Sequence, residues 1–73
     1  MRLLSTLKVG ERGIIKRVSP NCALYRRLLD LGLVPGTKIS CVLKSPMGDP
    51  AAYFVRGTLI AIRCDDSKNI ILQ

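Results

Sequence analysis

The sequence predicts a mainly β fold, a small SH3-like β-barrel of about five short strands with one α-helix laid across an opening. Three observations lead there. Aromatic residues make up only 4% of a chain that is 48% apolar, and the branched aliphatic side chains that fill the difference suit pleated, half-buried strands. The apolar runs are short and are separated by Gly, Pro, Asn and Asp, as strands are separated by turns. Only one stretch, about residues 22–31, carries a helical period.

Gly10-Glu11-Arg12-Gly13 predicts a turn, and Ile14–Val18 a strand whose apolar residues do not alternate cleanly. Ser19-Pro20-Asn21 breaks it. Ser19 and Asn21 both carry side-chain oxygens that can accept from the free N–H groups of a first helical turn, which makes them candidate N-caps. From Cys22 to Leu31, the residues Leu24, Leu28 and Leu31 recur at i, i+4 and i+7 as one apolar stripe, with Arg26, Arg27 and Asp30 off it. Gly32 stands where a helix end needs a left-handed residue, and Leu33 follows as the apolar residue that folds back onto Leu28, a Schellman ending.

Val34-Pro35-Gly36-Thr37 has Pro and Gly in the order of a type II turn. Beyond it, Ile39, Cys41 and Leu43 alternate with Ser40, Val42 and Lys44, which predicts a strand with the first set inward. Pro46-Met47-Gly48-Asp49-Pro50 interrupts any ladder. Ala51–Arg56 and Leu59–Arg63 read as a hairpin reversed at Gly57-Thr58. Asp65-Asp66-Ser67-Lys68 is a polar turn, one turn of helix at most, and Asn69–Leu72 a last short strand. So many short strands leave fewest open edges if they close into a barrel; a split sheet with a packed helix is the alternative.

The 73 residues, 23% of them charged, suffice for one domain, residues 1–73. So short a chain buries only about 60% of its unfolded surface, so its stability is expected to be modest. No run approaches the roughly 18 apolar residues that span a bilayer. Met1–Lys8 lacks the apolar core and cleavage site of a signal peptide, so the expected location is the cytoplasm. Cys22, Cys41 and Cys64 are widely spaced, and there is no histidine. That is neither a disulfide framework nor an ordinary zinc ligand set, so no metal site and no cofactor are expected.

Catalytic residues are not expected either. There is no phosphate loop, and a Cys22 thiolate favoured by a helix start would still lack a base. The net charge of +7 suits nucleic acid, an acidic protein face or an anionic membrane leaflet. Only Tyr25, Tyr53 and Phe54 are available to stack on bases, which counts against nucleic acid.

Leu28-Leu29-Asp30-Leu31-Gly32-Leu33-Val34-Pro35-Gly36 resembles the helix-end motif of the FeoA family. Leu43 through Pro50 resembles its second signature, and Val55-Arg56-Gly57 with Leu59–Arg63 its third. Leu7-Lys8-Val9-Gly10-Glu11-Arg12-Gly13 fits its opening. These stretches follow in order over nearly the whole chain. Asn21-Cys22-Ala23 and the segment after Cys64 are less typical. The resemblance implies a cytoplasmic, non-catalytic accessory protein of ferrous iron uptake, in its free-standing form. Its implied partner is the cytosolic part of a FeoB-type membrane transporter, and any contact with the membrane would be through that partner. A nucleic-acid-binding small barrel and a cysteine-based metal carrier are the alternatives, tested by oligonucleotide titration at two salt concentrations and by anaerobic ferrous-iron titration.

Two rigid corners are the expected contact points: Leu33, Val34 and Pro35 at the helix end, and Pro46, Met47, Gly48 and Asp49 in the loop, with Arg56 flanking the second. Met47 held between prolines offers an adaptable apolar contact at low ordering cost. Lys16, Arg17, Arg26 and Arg27, with Arg56, form a candidate basic patch that would steer an acidic surface. Plainer readings stand beside each: helix termination, a stiff loop and a solvated face.

Overall fold

In the computed structural model, which describes residues 2–47 and 49–73, nine elements follow one another. They are β1 (Arg2–Leu3), a 3₁₀ turn (Leu4–Thr6), β2 (Arg12–Val18), α1 (Tyr25–Asp30), β3 (Lys38–Lys44), β4 (Ala51–Val55), β5 (Thr58–Ile62), α2 (Cys64–Ser67) and β6 (Ile70–Leu72). The mainly β architecture expected from the sequence is present, with six strands. The additional strand, β1, is two residues long and carries no period that could announce it.

All pairings are antiparallel, in the order β1-β6-β2-β3-β4-β5. β2 makes this sheet curl. Arg12, Gly13 and Ile14 pair with β3, whereas Ile15, Arg17 and Val18 pair with β6. Its register against β6 shifts between Ile15 and Arg17. A bulge leaves the extra residue unpaired and bends the strand, which is why both Lys16 and Arg17 are exposed and why the alternation is broken. Gly13 permits the crossing: a Cβ there would lie 2.8 Å from Leu72 Cδ1. The two terminal strands of the order, β1 and β5, are not paired with each other among the described residues, so the curled sheet keeps one seam open.

The core is aliphatic. Leu4, Leu7, Ile15, Leu28, Leu33, Ile39, Val55 and Ile70 are buried with Tyr53 and Cys41. Burial of a Leu or Ile side chain contributes about 1.5–3 kcal/mol, so the N-terminal turn that inserts Leu4 and Leu7 is part of the core.

The helix begins later than expected. Cys22–Leu24 form turns and α1 starts at Tyr25 with Leu24 as N-cap and no side-chain cap. Ser19 Oγ accepts the Asn21 N–H at 3.3 Å and so closes a local turn, leaving neither residue as the cap. The apolar stripe is corrected too: Leu28 is buried, but Leu24 and Leu31 stay 39% and 38% exposed. The helix end is as expected. Gly32 has φ +101°, its N–H donates to Leu29 C=O at 3.0 Å, and the Leu33 N–H donates to Leu28 C=O at 3.0 Å. These are the two bonds of a Schellman motif with Leu31 as C-cap, and Leu33 is buried against the core with Leu28.

The Thr37 N–H donates to Val34 C=O at 3.1 Å with Gly36 at φ +89°, which closes the type II turn. In β3 the register against β4 slips between Cys41 and Leu43. A one-residue slip sends the following side chains to the other face, so Leu43 is 62% exposed where an inward position was expected. The β4–β5 hairpin turns one residue earlier than expected. Val55 pairs with Thr58, and the two loop residues, Arg56 and Gly57, have φ +51° and +78°, the signs of a type I′ turn.

Two predictions follow from the backbone and core. Gly32→Ala is expected to destabilise by about 1 kcal/mol, lowering Tm by about 4–8 °C in a domain of this size. Its Cβ would meet Arg56 Cδ at 2.5 Å, but a flexible side chain yields, so adding Arg56→Ala should restore little. Full rescue by the double substitution would place the cost in that contact and not in the backbone. Burial pushes the Cys41 thiol and the Tyr53 phenol up, with smaller opposing pulls from Lys44 and from Ser67 respectively. The unfolded chain therefore releases these protons first. Their contribution is complete below the unfolded thiol value of about 8.5 and is lost as pH rises through the folded values. Denaturant melts should show stability falling above that pH, and Tyr53→Phe should flatten the alkaline limb.

Candidate partner-binding face

A groove of about 240 Å³ runs between α1 and β5, lined by Leu24, Arg27, Leu28, Leu31, Ile60–Arg63 and Asp66. Its floor is apolar, because α1 turns its exposed leucines toward the strand and Ile60 packs at the border of the core. Arg27 and Arg63 flank it, and no ion pair involves either among the described residues, where Lys68–Asp65 is the only one. Asp66 is engaged, its Oδ1 accepting from Cys22 Sγ–H at 3.7 Å. The groove has a strand with one free edge for a wall, since among the described residues β5 pairs only with β4.

The hairpin turn sets which backbone groups that strand leaves free. In a two-residue hairpin the pair flanking the loop is hydrogen-bonded, and the pattern then alternates. Thr58, Ile60 and Ile62 therefore bond to β4, while the N–H and C=O of Leu59 and of Ala61 point to the open edge. Neither residue makes a bond outside the ladder among the described residues.

The helix-end corner adjoins this groove through Leu31. Leu33, expected at its surface, is fully buried and cannot touch a partner; the Schellman geometry that places it also folds it inward. Val34 is half-buried and Pro35 exposed. Arg56 belongs here and not beside the loop, because its Cδ lies over Gly32. It follows Val55, paired with Ile39, whereas the loop leaves from Lys44, paired with Ala51 at the other end of the same ladder. The two expected corners are thus at opposite ends of the β3–β4 hairpin and do not form one patch.

In the loop, Met47 is 90% exposed and Pro46 is exposed; Gly48 lies outside the described residues. Asp49 has a structural partner. Its Oδ1 accepts the Cys64 N–H at 2.8 Å, satisfying a free donor in the first turn of α2. The basic residues are dispersed: Lys16 and Arg17 lie on the bulged part of β2, while Arg27 faces the groove. Two surface features had no signal in the sequence. One is a basic cleft of about 390 Å³ formed by Arg2, Arg12, Lys38, Gly13, Ile14 and Gln73. The other is the outer face on which Phe54 opposes Leu59, 46% and 59% exposed. Strand pairing alone assembles each.

Among the described residues no three of Cys, Asp and Glu gather as metal ligands. Cys22 and Cys41 are buried and Cys64 is exposed. Of the three aromatic rings, Tyr53 is buried and Tyr25 half-buried, which leaves Phe54, 46% exposed, as the most accessible stacking surface. No helix is long and apolar enough to cross a membrane among the described residues.

Met47→Asp should leave Tm unchanged within error, since substitution at an exposed loop tip is usually within ±0.5 kcal/mol; a clear drop would show the loop packed. In the free protein, the amides of Ile60 and Ile62 should exchange slowly with solvent deuterium and those of Leu59 and Ala61 fast. The reverse order would invert the edge assignment.

The model of the FeoA domain family matches residues 2–73. A curated relative from Porphyromonas gingivalis, an Fe(2+) transport protein A/Fe(2+) transporter FeoB fusion protein, is 31% identical over 70 residues, which are 96% of this chain and 8% of the relative. The chain therefore spans a small fraction of that protein. The solution structure of FeoA from Chlorobium tepidum superposes with a TM-score of 0.89 at 37% identity, covering 97% of this chain and 68% of that one. The crystal structure of FeoA from Stenotrophomonas maltophilia, described as a prokaryotic SH3 domain protein and solved in complex with zinc, gives 0.89 at 30% identity and covers 100% and 91%. This chain belongs to the FeoA family.

Proposed function

We propose that this protein is a non-catalytic, cytoplasmic accessory factor of ferrous iron uptake that binds the cytosolic part of a FeoB-type transporter. The observation that carries the reading is the fusion in the Porphyromonas gingivalis relative, where a segment 31% identical to this chain shares one polypeptide with the transporter. Fusion holds two modules at high effective concentration, an arrangement that favours modules acting on one another. The Stenotrophomonas maltophilia relative has itself been put forward as a ferrous iron transport activating factor, which agrees with an accessory role.

The chemistry of the surface supports the same conclusion. A chain of net charge +7 with one ion pair among the described residues offers arginines and lysines to an acidic face, which steers association. The exposed Leu24 and Leu31 line one groove with Arg27 and Arg63.

The test is binding of the purified chain to detergent-solubilised FeoB-type transporter from the same cell. Saturable binding that weakens as salt is raised from about 50 to 200 mM is expected, since screening shortens the reach of the basic surface. No binding at either salt concentration, together with undiminished iron-dependent growth of cells lacking the chain, would overturn the reading.

A further inference from the structure

Exposed strand edges pair with other chains, and folded proteins ordinarily guard them with Lys, Pro, bulges or very short strands. This molecule guards one edge and not the other. β1, at one end of the sheet, is two residues long and begins with Arg2. β5, at the other end, has five residues, Thr58-Leu59-Ile60-Ala61-Ile62, with no charge, no proline and no register shift. Charges stand only at its two ends, Arg56 in the turn that precedes it and Arg63 after the strand.

We propose that β5 is the docking strand. An extended segment of the transporter's cytosolic part, alternating apolar side chains with acidic residues at its flanks, adds to the sheet along Leu59 and Ala61 and fills the groove beside α1. This inference rests on the functional reading above and names its contact surface.

Main-chain bonds to the free N–H and C=O groups of Leu59 and Ala61 supply the register. Alternate side chains of the added strand fall on the groove side, over Leu24, Leu31 and Ile60, and give specificity, as in other strand-addition complexes. The arginines select the occupant. Arg27 and Arg63 flank the groove and Arg56 lies at the hairpin end, so acidic flanks are attracted. A second copy of this chain is disfavoured: antiparallel pairing of β5 with itself would bring Arg56 of each copy toward Arg63 of the other, and like charges placed opposite destabilise.

The test uses the full chain and the solubilised transporter. Ala61→Pro removes the outward N–H without touching the ladder to β4 and puts a ring on the edge, a position where proline is tolerated. Leu24→Glu sets a negative charge at the start of α1, where it suits the helix end but repels an acidic segment. Each should weaken binding about tenfold or more, with wild-type circular dichroism, while Val9→Thr, at an exposed position outside both the groove and the loop, should bind like the wild type; Met47→Asp is measured beside them to compare the loop. In the wild-type complex, exchange of the Leu59 and Ala61 amides should slow about tenfold or more.

Should Ala61→Pro fail to fold, Leu24→Glu and the exchange measurement still decide. Wild-type binding that survives Leu24→Glu, or a complex in which both amides keep their free exchange rates, overturns strand addition while leaving the functional reading intact. So does loss of binding on Met47→Asp alone, or a concentration-dependent dimer of this chain protected at Leu59 and Ala61. Absence of wild-type binding removes the functional reading and this inference together.

Discussion

Because β2 is bonded to β3 along its first part and to β6 along its second, a six-stranded antiparallel sheet is bent round a single small core. Each of the other features depends on that bend. It requires Leu72 to pass close over the backbone at Gly13 and requires the slip between Ile15 and Arg17. It brings β6, whose three residues are all buried, into contact with the N-terminal turn. It also leaves the far end of the sheet, β5, next to α1 with no strand beyond it.

The helix contributes through its end more than through its length. With six residues and no side-chain cap, α1 would not persist in isolation, since short helices are marginal in water. The Schellman bonds and the burial of Leu28 and Leu33 hold it. The same geometry leaves Leu24 and Leu31 outside the core. A helix fastened by two leucines therefore presents two more to the strand across the groove. Arg56 ties the parts together: its left-handed backbone makes the hairpin turn and its side chain lies over Gly32, so the turn that starts β5 also lies against the helix end.

Much of this was legible in the residues. Gly32-Leu33 specified the helix end, Pro35-Gly36 its turn, and the Val55–Leu59 interval a hairpin, because in each case local backbone chemistry decides. The family motifs were legible for the same reason. What failed depended on contacts distant in sequence. The bulge at Cys41–Leu43 turned Leu43 outward, and no local pattern marks such a slip. Leu33 was placed on a surface that its own capping role denies it. Arg56 was set beside the loop because the length of the ladder separating the two ends of β3 and β4 is not visible in a one-dimensional pattern. The unguarded edge was present in Thr58–Ile62 as five uncharged residues, but only the strand order reveals that no further strand pairs with it among the described residues.

Strand addition at the free edge of this small barrel is the proposal on which the functional reading of β5 depends. A titration of isotope-labelled chain with the soluble cytosolic part of the transporter, followed by backbone amide shifts, tests it most directly. The largest changes are expected along Thr58–Arg63 and the groove-facing side of α1. Changes confined to the basic cleft at Arg2, Arg12 and Lys38, or to the loop around Met47, with β5 undisturbed, would contradict it.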